Sequence, residues 1–533
     1  MKTLKFVLVI SILVLLYSCK SNDEKTSEVV EEIQIDFSET DFVYLSGKEF
    51  RLKNDKYFPI MLNYILSFRD IDGEFIVSPH IDYENIEIFE TNTKEDIDQQ
   101  LRAHFQLIKE MGFNSLRLCF DRLSSENSRH YYNADGVKYF LDTDHEKILN
   151  GLSRAIDIAE EKGLRVMLLI KPPLYSEELE KFTIDILQRF RDNPTVFSYD
   201  FMNEPLYFDY EPERKKEDVC RVVSVWKDLV KKNAPYQMFT IGFSEPIEVF
   251  KWDPFLLSVD FVAFHTYSPM RAKNEIYWYS TYINKPWMIG ETGLPADNDS
   301  VPYEDQVVYT KNLFQYVLDC GGAGFGLWDF QEGNIPDYFE AQHTGLLNHE
   351  GFTITIEGDT IIGTVKPVTK IIPDVVNLVP NNKKRPVNYY NMMGYNNYLI
   401  KGKVYDQTIH QPVKGAVVRG WNEWWNVGMN TFTDENGEFT LYSNDECVHF
   451  EISAPGMSRI KFDDKLNYID QTKGEYDREN LPDQMLEYHS ISYKTLLKDH
   501  PDDPVFDFDP NKFNKSKFVG NMRTQYLIPI KCD

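Results

Sequence analysis

The sequence is poor in positive charge, in paired cysteines and in cofactor motifs. Lysine and arginine number 57 against 84 aspartates and glutamates, a formal net charge of −27. A surface this acidic repels phosphate backbones and anionic lipid, which excludes a nucleic-acid binder; a neutral partner does not feel that repulsion. Only six cysteines occur. After Cys19 come Cys119, Cys220, Cys320, Cys447 and Cys532 with no close pair, so neither a zinc knuckle nor a disulfide framework is signalled. Five such cysteines in an exported chain leave at least one free thiol, and Cys119 and Cys320, in apolar contexts, read as buried small hydrophobes. No metal site is readable, no cofactor is expected, the phosphate-cradling GxGxxG loop is missing, and there is no internal repeat.

What is present is the material of a large core. Hydrophobic residues make up 42% of 533 residues and aromatics 14%, with 36 Phe, 32 Tyr and 8 Trp. That composition excludes wholesale disorder, a collagen-like chain and a multi-span membrane protein, and the length predicts two to four domains. Lys2 and Lys5 precede an apolar run from Phe6 to Tyr17, too short for a comfortable membrane span and laid out like a secretory signal. With Cys19 directly after Leu16-Tyr17-Ser18, the segment resembles a bacterial lipoprotein signal. That resemblance implies removal of residues 1–18 and lipidation of Cys19, anchoring the chain to a bacterial membrane, with the outer membrane expected. The acidic stretch over 19–44 reads as a solvated tether.

From about residue 56 to 330, short apolar runs alternate with amphipathic stretches. The runs are Phe58–Tyr64, Ser115–Phe120, Arg165–Ile170, Val196–Asn203, Gln237–Phe243, Val259–Tyr267, Pro286–Glu291 and Ala323–Asp329. Bounded by Gly, Pro, Asn or Asp, they have the character of parallel strands buried on both faces. Helical spacing fills the intervals: Ile97, Leu101, Phe105 and Ile108 recur at three and four residues before Gly112, and similar patterns cover 145–162, 177–191, 213–233 and 303–319. Eight strands alternating with helices predict a (β/α)8 barrel over 45–372; a doubly wound sheet is the rival, with fewer strands. The interval 65–94 reads as an insertion above the first strand. Proline and polar residues over 373–397 have linker composition, and 398–474 reads as a small all-β sandwich, its hairpin turn supplied by Asp434-Glu435-Asn436-Gly437. Residues 475–533 read as a charged tail.

In such a barrel chemistry belongs at the C-terminal ends of the strands. The fourth run ends in Asn203-Glu204-Pro205 and the seventh in Gly290-Glu291-Thr292-Gly293. Two carboxylates closing two strands on one face are the minimum apparatus for breaking a glycosidic bond, one protonated for the leaving oxygen and one ionised for the anomeric carbon. Each alone also fits a capping or salt-bridged residue at a turn.

Across roughly residues 45–370 the sequence resembles the clan of (β/α)8 retaining glycoside hydrolases, closest to the family 5 cellulases and mannanases. The resemblance implies Glu204 as acid/base and Glu291 as nucleophile. It implies that Asn203 contacts the sugar 2-hydroxyl and that Arg117, in Ser115-Leu116-Arg117-Leu118, keeps the nucleophile ionised. His265 and Tyr267, in Phe264-His265-Thr266-Tyr267, would serve the two carboxylates and the substrate, and Trp328 would form the floor beneath the −1 sugar. An indole face suits the apolar C–H face of a pyranose. The family's histidine near the end of strand three has no counterpart in Leu168-Leu169-Ile170-Lys171-Pro172-Pro173, leaving Lys171 or Tyr175 to form that wall.

The second domain resembles the carboxypeptidase-regulatory-like β-sandwich through Gly402-Lys403-Val404-Tyr405, Val413-Lys414-Gly415-Ala416, Thr433–Phe439 and Ser453-Ala454-Pro455-Gly456. Such modules carry no peptidase chemistry. Trp421, Trp424 and Trp425 fit either a sugar-stacking platform or core and interdomain packing. The resulting expectation is a monomeric retaining β-glycosidase acting on a β-linked oligo- or polysaccharide. The rivals are a non-catalytic surface glycan-binding protein and a transglycosidase on the same residues.

Overall fold

The computed structural model describes residues 36–532 except 72–73, 81–92, 124–144, 171–176, 334–338, 382–385, 387–388, 393–394, 471–517 and the single positions 210, 212, 270, 376 and 396. The anchor call at Cys19 and the wall residues Lys171 and Tyr175 lie outside the described residues.

A three-stranded antiparallel sheet, β1 (Val43–Ser46), β2 (Glu49–Leu52) and β3 (Asp55–Tyr57), precedes the main sheet. Then follow β4 (Ile60–Ile71), β5 (Glu74–Pro79), β6 (Ser115–Leu123), β7 (Arg165–Leu169), β8 (Val196–Asn203), β9 (Met238–Phe243), β10 (Val262–His265), β11 (Trp287–Glu291) and β12 (Phe325–Leu327). Strands β4 and β6 to β12 are parallel neighbours in chain order, and β12 pairs back onto β4, closing the expected eight-stranded barrel. The interval after the first strand begins as a hairpin, with β5 antiparallel to an extended β4.

The barrel strands bury both faces. One set of alternate residues, including Leu62, Leu116, Leu118, Leu168, Tyr199, Phe264 and Ile289, joins the helices in the main core. The other set points inward. At the N-terminal end of the barrel Met61, Met167, Phe197, Phe261, Ala263 and Met288 cluster with Val43 and Phe50, so the small leading sheet plugs the bottom. Further along these strands Asn63, Arg117, Asp200, Gly242 and His265 meet in the interior. The upper half of the interior is therefore polar because the sequence changes character there, not because the backbone does.

After a short hairpin, β13 (Phe352–Ile354) with β14 (Thr360–Ile362), the chain packs Ile372 and Val375 into the barrel core before crossing over. The C-terminal domain is a sandwich of two sheets. One contains β15 (Tyr398–Asp406), β18 (Glu438–Ser443), β21 (Tyr468–Asp470), β22 (Phe518–Asn521) and β23 (Gln525–Leu527); the other runs β17 (Gly428–Phe432), β16 (Val417–Asn422), β19 (Cys447–Ser453), β20 (Ile460–Asp463). The end of the stretch read as a tail is thus structural: β22 and β23 both pair in parallel with β15. A second correction concerns cysteine. Cys220 and Cys532 form a disulfide across 312 residues, while Cys119 and Cys447, outside any disulfide, are buried and Cys320 is half-buried.

That disulfide is one of several ties between sandwich and barrel. Lys216, buried at the start of a barrel helix, pairs with Asp253 at 2.8 Å and donates to the carbonyls of Met457 (2.7 Å) and Ala454 (3.2 Å). Trp278 donates its indole N–H to the Gly415 carbonyl, and Phe432 stacks on Tyr277. Gly415 has φ +71° and would place a Cβ 2.4 Å from the Tyr282 ring, so only glycine suits this contact.

Candidate active site

The site is built on Arg117, which is fully buried on β6 and hydrogen-bonds through all three guanidinium nitrogens. Nε and Nη2 donate to Asp200 Oδ2 at 3.0 and 2.8 Å, Nη2 also to Asn203 Oδ1 at 2.9 Å, and Nη1 to Asn63 Oδ1 at 3.0 Å and to Glu291 Oε1. A buried guanidinium needs such partners, because an unpaired charge in the interior is far costlier than a paired one. Asn63 in turn donates to the carbonyls of Gly290 and Leu327, both at 3.0 Å, tying β4 to β11 and β12.

Glu291 ends β11 at 5% exposure. Its Oε1 is held by Arg117, its Oε2 accepts from Tyr267 Oη at 2.5 Å, and His265 Nδ1 lies 3.5 Å from that oxygen. Burial alone would raise this carboxyl; His265, Arg117 and the two hydrogen bonds outweigh it and hold Glu291 below the ordinary carboxylate value. Tyr267 is pushed the other way, by burial and by the adjacent carboxylates, and stays a donor at any physiological pH.

Glu204 follows β8 in the left-handed region at φ +42°, a conformation costly for a residue with a Cβ. It is held from several directions: Pro205 opens a short helix after it, its N–H donates to the Gly242 carbonyl at 2.7 Å, and Leu206 N donates to Glu248 Oε1 at 3.0 Å. Burial pushes the Glu248 carboxyl up to about 8, against hydrogen bonds from Leu206 and Ser244. At neutral pH Glu248 is therefore largely protonated and supports the turn without adding a full charge beside Glu204. The Glu204 side chain, 17% exposed, accepts from His265 Nδ1 at 2.8 Å.

His265 lies between the two carboxylates, and glycine makes room for it. A Cβ at Gly242 would come within 2.9 Å of its Nε2, and one at Gly290 within 3.0 Å. One ligand atom each from Glu204, His265 and Glu291 lies within 4.8 Å of the others. That spacing alone would admit a cation, but Glu291 is already engaged by Arg117 and Tyr267 and Glu204 by His265. The adjacent guanidinium opposes a second positive charge, so the donor set does not fit a metal.

Of the residues singled out from sequence, Arg117, Asn203, Glu204, His265, Tyr267 and Glu291 form one hydrogen-bonded cluster. Trp328 stands at the end of the neighbouring β12, half-buried, its backbone N–H donating to the carbonyl of Thr292 at 2.8 Å. Sequence reasoning missed Asn63, Asp200 and Glu248. A buried acid inside Val196–Asn203 and an amide inside the first apolar run were the available signals for the first two.

Residues 79–334 match the family model for cellulase, glycosyl hydrolase family 5. They form a glycosidase domain. No curated protein matches the chain. Among solved structures the chain is similar to a GH5_18 variant from Streptomyces cattleya in complex with Manβ1-4GlcNAc, at 14% identity and TM-score 0.43 over 66% of this chain and 85% of that one. It is also similar to the exo-β-1,4-mannosidase of Opitutaceae bacterium strain TAV5, at 16% identity and TM-score 0.43 over 62% and 61% of the two chains. The endo-1,4-β-mannanase of Rhizomucor miehei follows at 14% identity and TM-score 0.38, over 57% and 93%.

Within this glycosidase site the Tyr267 hydroxyl has a measurable task. Tyr267→Phe removes one donor to a buried carboxylate, a loss of about 1.5–3 kcal/mol, or about 10- to 150-fold in kcat/KM. Glu291 is held below the ordinary carboxylate value, and losing a donor to the carboxylate raises its pKa. The acid limb of the kcat/KM profile should therefore move to higher pH. An unmoved limb would detach Tyr267 from the ionisation of Glu291.

Proposed function

We propose that the chain is a retaining β-glycosidase acting by double displacement on a neutral β-linked oligo- or polysaccharide. The observation that carries this reading is the separation of the carboxylates, whose nearest ligand atoms lie within 4.8 Å. Retaining enzymes keep the pair about 5–5.5 Å apart, whereas inverting enzymes need about 6.5–9.5 Å to admit a water. The environments divide the roles. Glu291, held ionised by Arg117 and Tyr267, attacks the anomeric carbon and forms the glycosyl-enzyme bond. Glu204, less buried and joined only to His265 among the cluster, gives its proton to the departing oxygen and later takes one from the incoming water. Asn203 has its side-chain oxygen taken by Arg117, so its amide N–H2 is the group left to donate to a sugar hydroxyl. Trp328, at the end of the strand next to that of Glu291, supplies an indole suited to the apolar face of a sugar.

The disulfide between Cys220 and Cys532 supports the companion reading that the chain is exported, since such bonds persist in oxidising compartments; anchoring through Cys19 rests on the signal-like segment alone. Proton NMR of the first product formed tests the mechanism: the β-anomer should appear first and then mutarotate. An α-anomer appearing first would place the reaction among inverting hydrolyses, and products longer than the substrate would mark transfer to sugar instead of water.

A further inference from the structure

The sheet β17-β16-β19-β20 presents one face whose rows differ sharply. In the row nearest the barrel Phe432, Val417 and Ser453 stand side by side, and all three touch the barrel: Val417 joins its core, Phe432 packs on Tyr277 and Tyr282, and Ser453 Oγ reaches the Val249 carbonyl. The next row, Asn430, Arg419, Glu451 and Lys461, is polar, with Lys461 3.8 Å from Glu451, which also pairs with Arg459. The third row, Gly428, Trp421, His449 and Asp463, lies on the same face beyond the charged row.

This last row carries an aromatic corner. Trp421 lies over Gly428, where a Cβ would come within 2.8 Å of its Nε1, and has the Arg419 guanidinium 4.5 Å from its ring. Trp425, from the turn between β16 and β17, stacks on His449 with centroids 3.9 Å apart and 13° between planes, and lies 5.3 Å from Trp421. His449 is fixed as a support, with Nδ1 2.8 Å from Asp463 and Nε2 3.3 Å from the Glu423 carbonyl. The turn itself is braced. Asn422 Oδ1 accepts from the N–H groups of Asn426 and Val427, its Nδ2 donates to Asn426 and Asp445, and Trp425 is held at φ +59°. Yet Trp424 is 78% and Trp425 58% exposed. Indoles this exposed, one of them stacked on a fixed His449, do not serve core or interdomain packing, the simpler of the two expectations from sequence.

We propose that Trp424 and Trp425, with Trp421 beside them, form a binding surface for an uncharged pyranose polysaccharide, separate from the barrel cleft. Indole faces match the axial C–H faces of such sugars, and the hydroxyls find donors and acceptors in Asn426, Asp463 and Glu423 at the edge. The carboxylates at this corner and the net charge of −27 disfavour a polyanion. Choosing a glycan as occupant rests on the glycosidase reading of the barrel, because the same polymer would then be offered to both surfaces.

The test is affinity electrophoresis of the full chain in gels containing β-mannan, mixed-linkage β-glucan or polygalacturonate, beside hydrolysis of small aryl glycosides. Trp424→Ala/Trp425→Ala should weaken retention by one uncharged polymer at least tenfold, with aryl-glycoside turnover and melting temperature unchanged; Trp425→Phe should keep part of the retention. Equal retention of the double variant, no retention of the wild type, or retention only by polygalacturonate overturns the proposal. So does a change in oligomeric state on sedimentation, which would make the corner a contact between copies. Tryptophan-dependent retention by a chain that hydrolyses no glycoside would sink the barrel reading and leave this surface standing.

Discussion

Glu291→Ala should lose activity on every glycoside by on the order of 10⁵-fold, the scale set by removal of a covalent nucleophile. The loss must not depend on the leaving group, because no better departure compensates for the absence of an attacking atom. The fold should survive. Without Glu291 the Arg117 guanidinium still bonds Asp200 at 2.8 and 3.0 Å, Asn63 at 3.0 Å and Asn203 at 2.9 Å, so no unpaired charge is stranded in the barrel. Melting temperature therefore separates a chemical loss from a structural one. A small anion can fill the vacated space: azide should restore turnover of an activated β-glycoside and release the α-glycosyl azide, one displacement replacing two. Near-wild-type hydrolysis by a folded Glu291→Ala protein would remove the nucleophile assignment outright.

The parts of this arrangement legible in the sequence share a physical cause. Strands buried on both faces must be apolar along their length, so β6 to β9 stand out as runs, and a polar residue closing such a run has few reasons to be there other than chemistry. Glu204 and Glu291 were legible on that ground, and Arg117, inside its strand, through the family resemblance. Asp200 and Asn63 obey the same rule from inside a strand, where a polar side chain is equally consistent with a local hydrogen bond. Their meaning comes from β4, β6 and β8 being brought together around one guanidinium. Glu248 lies in the short 3-10 helix Pro246–Phe250 and reaches the Glu204 turn through the backbone N–H of Leu206. The disulfide and the strands at Phe518–Leu527 were illegible for a related reason: their partners lie hundreds of residues away or past a long charged stretch, and neither periodicity nor spacing records such pairings. The tryptophans of the corner were visible as residues, but only the register of β16 against β19 separates the row that touches the barrel from the row beyond it.

Glu204→Ala should divide substrates by their leaving groups. A β-glycan linkage departs as a poor alkoxide and needs its proton delivered, so turnover should fall about 10²- to 10⁴-fold. An aryl glycoside with an acidic phenol needs no such help; Glu291, still held by Arg117 and Tyr267, should form the glycosyl-enzyme at nearly the normal rate. Release then becomes slow, because the group that deprotonates water is gone. The expected signature is a burst of phenol followed by a low steady rate, with KM reduced as the intermediate accumulates. Azide, which needs no base, should raise that steady rate and yield the β-glycosyl azide, the opposite anomer from the Glu291→Ala product. The two variants thus report on opposite faces of one sugar. If both gave the same azide anomer, the roles of Glu204 and Glu291 would have to be reassigned, however close together the carboxylates lie.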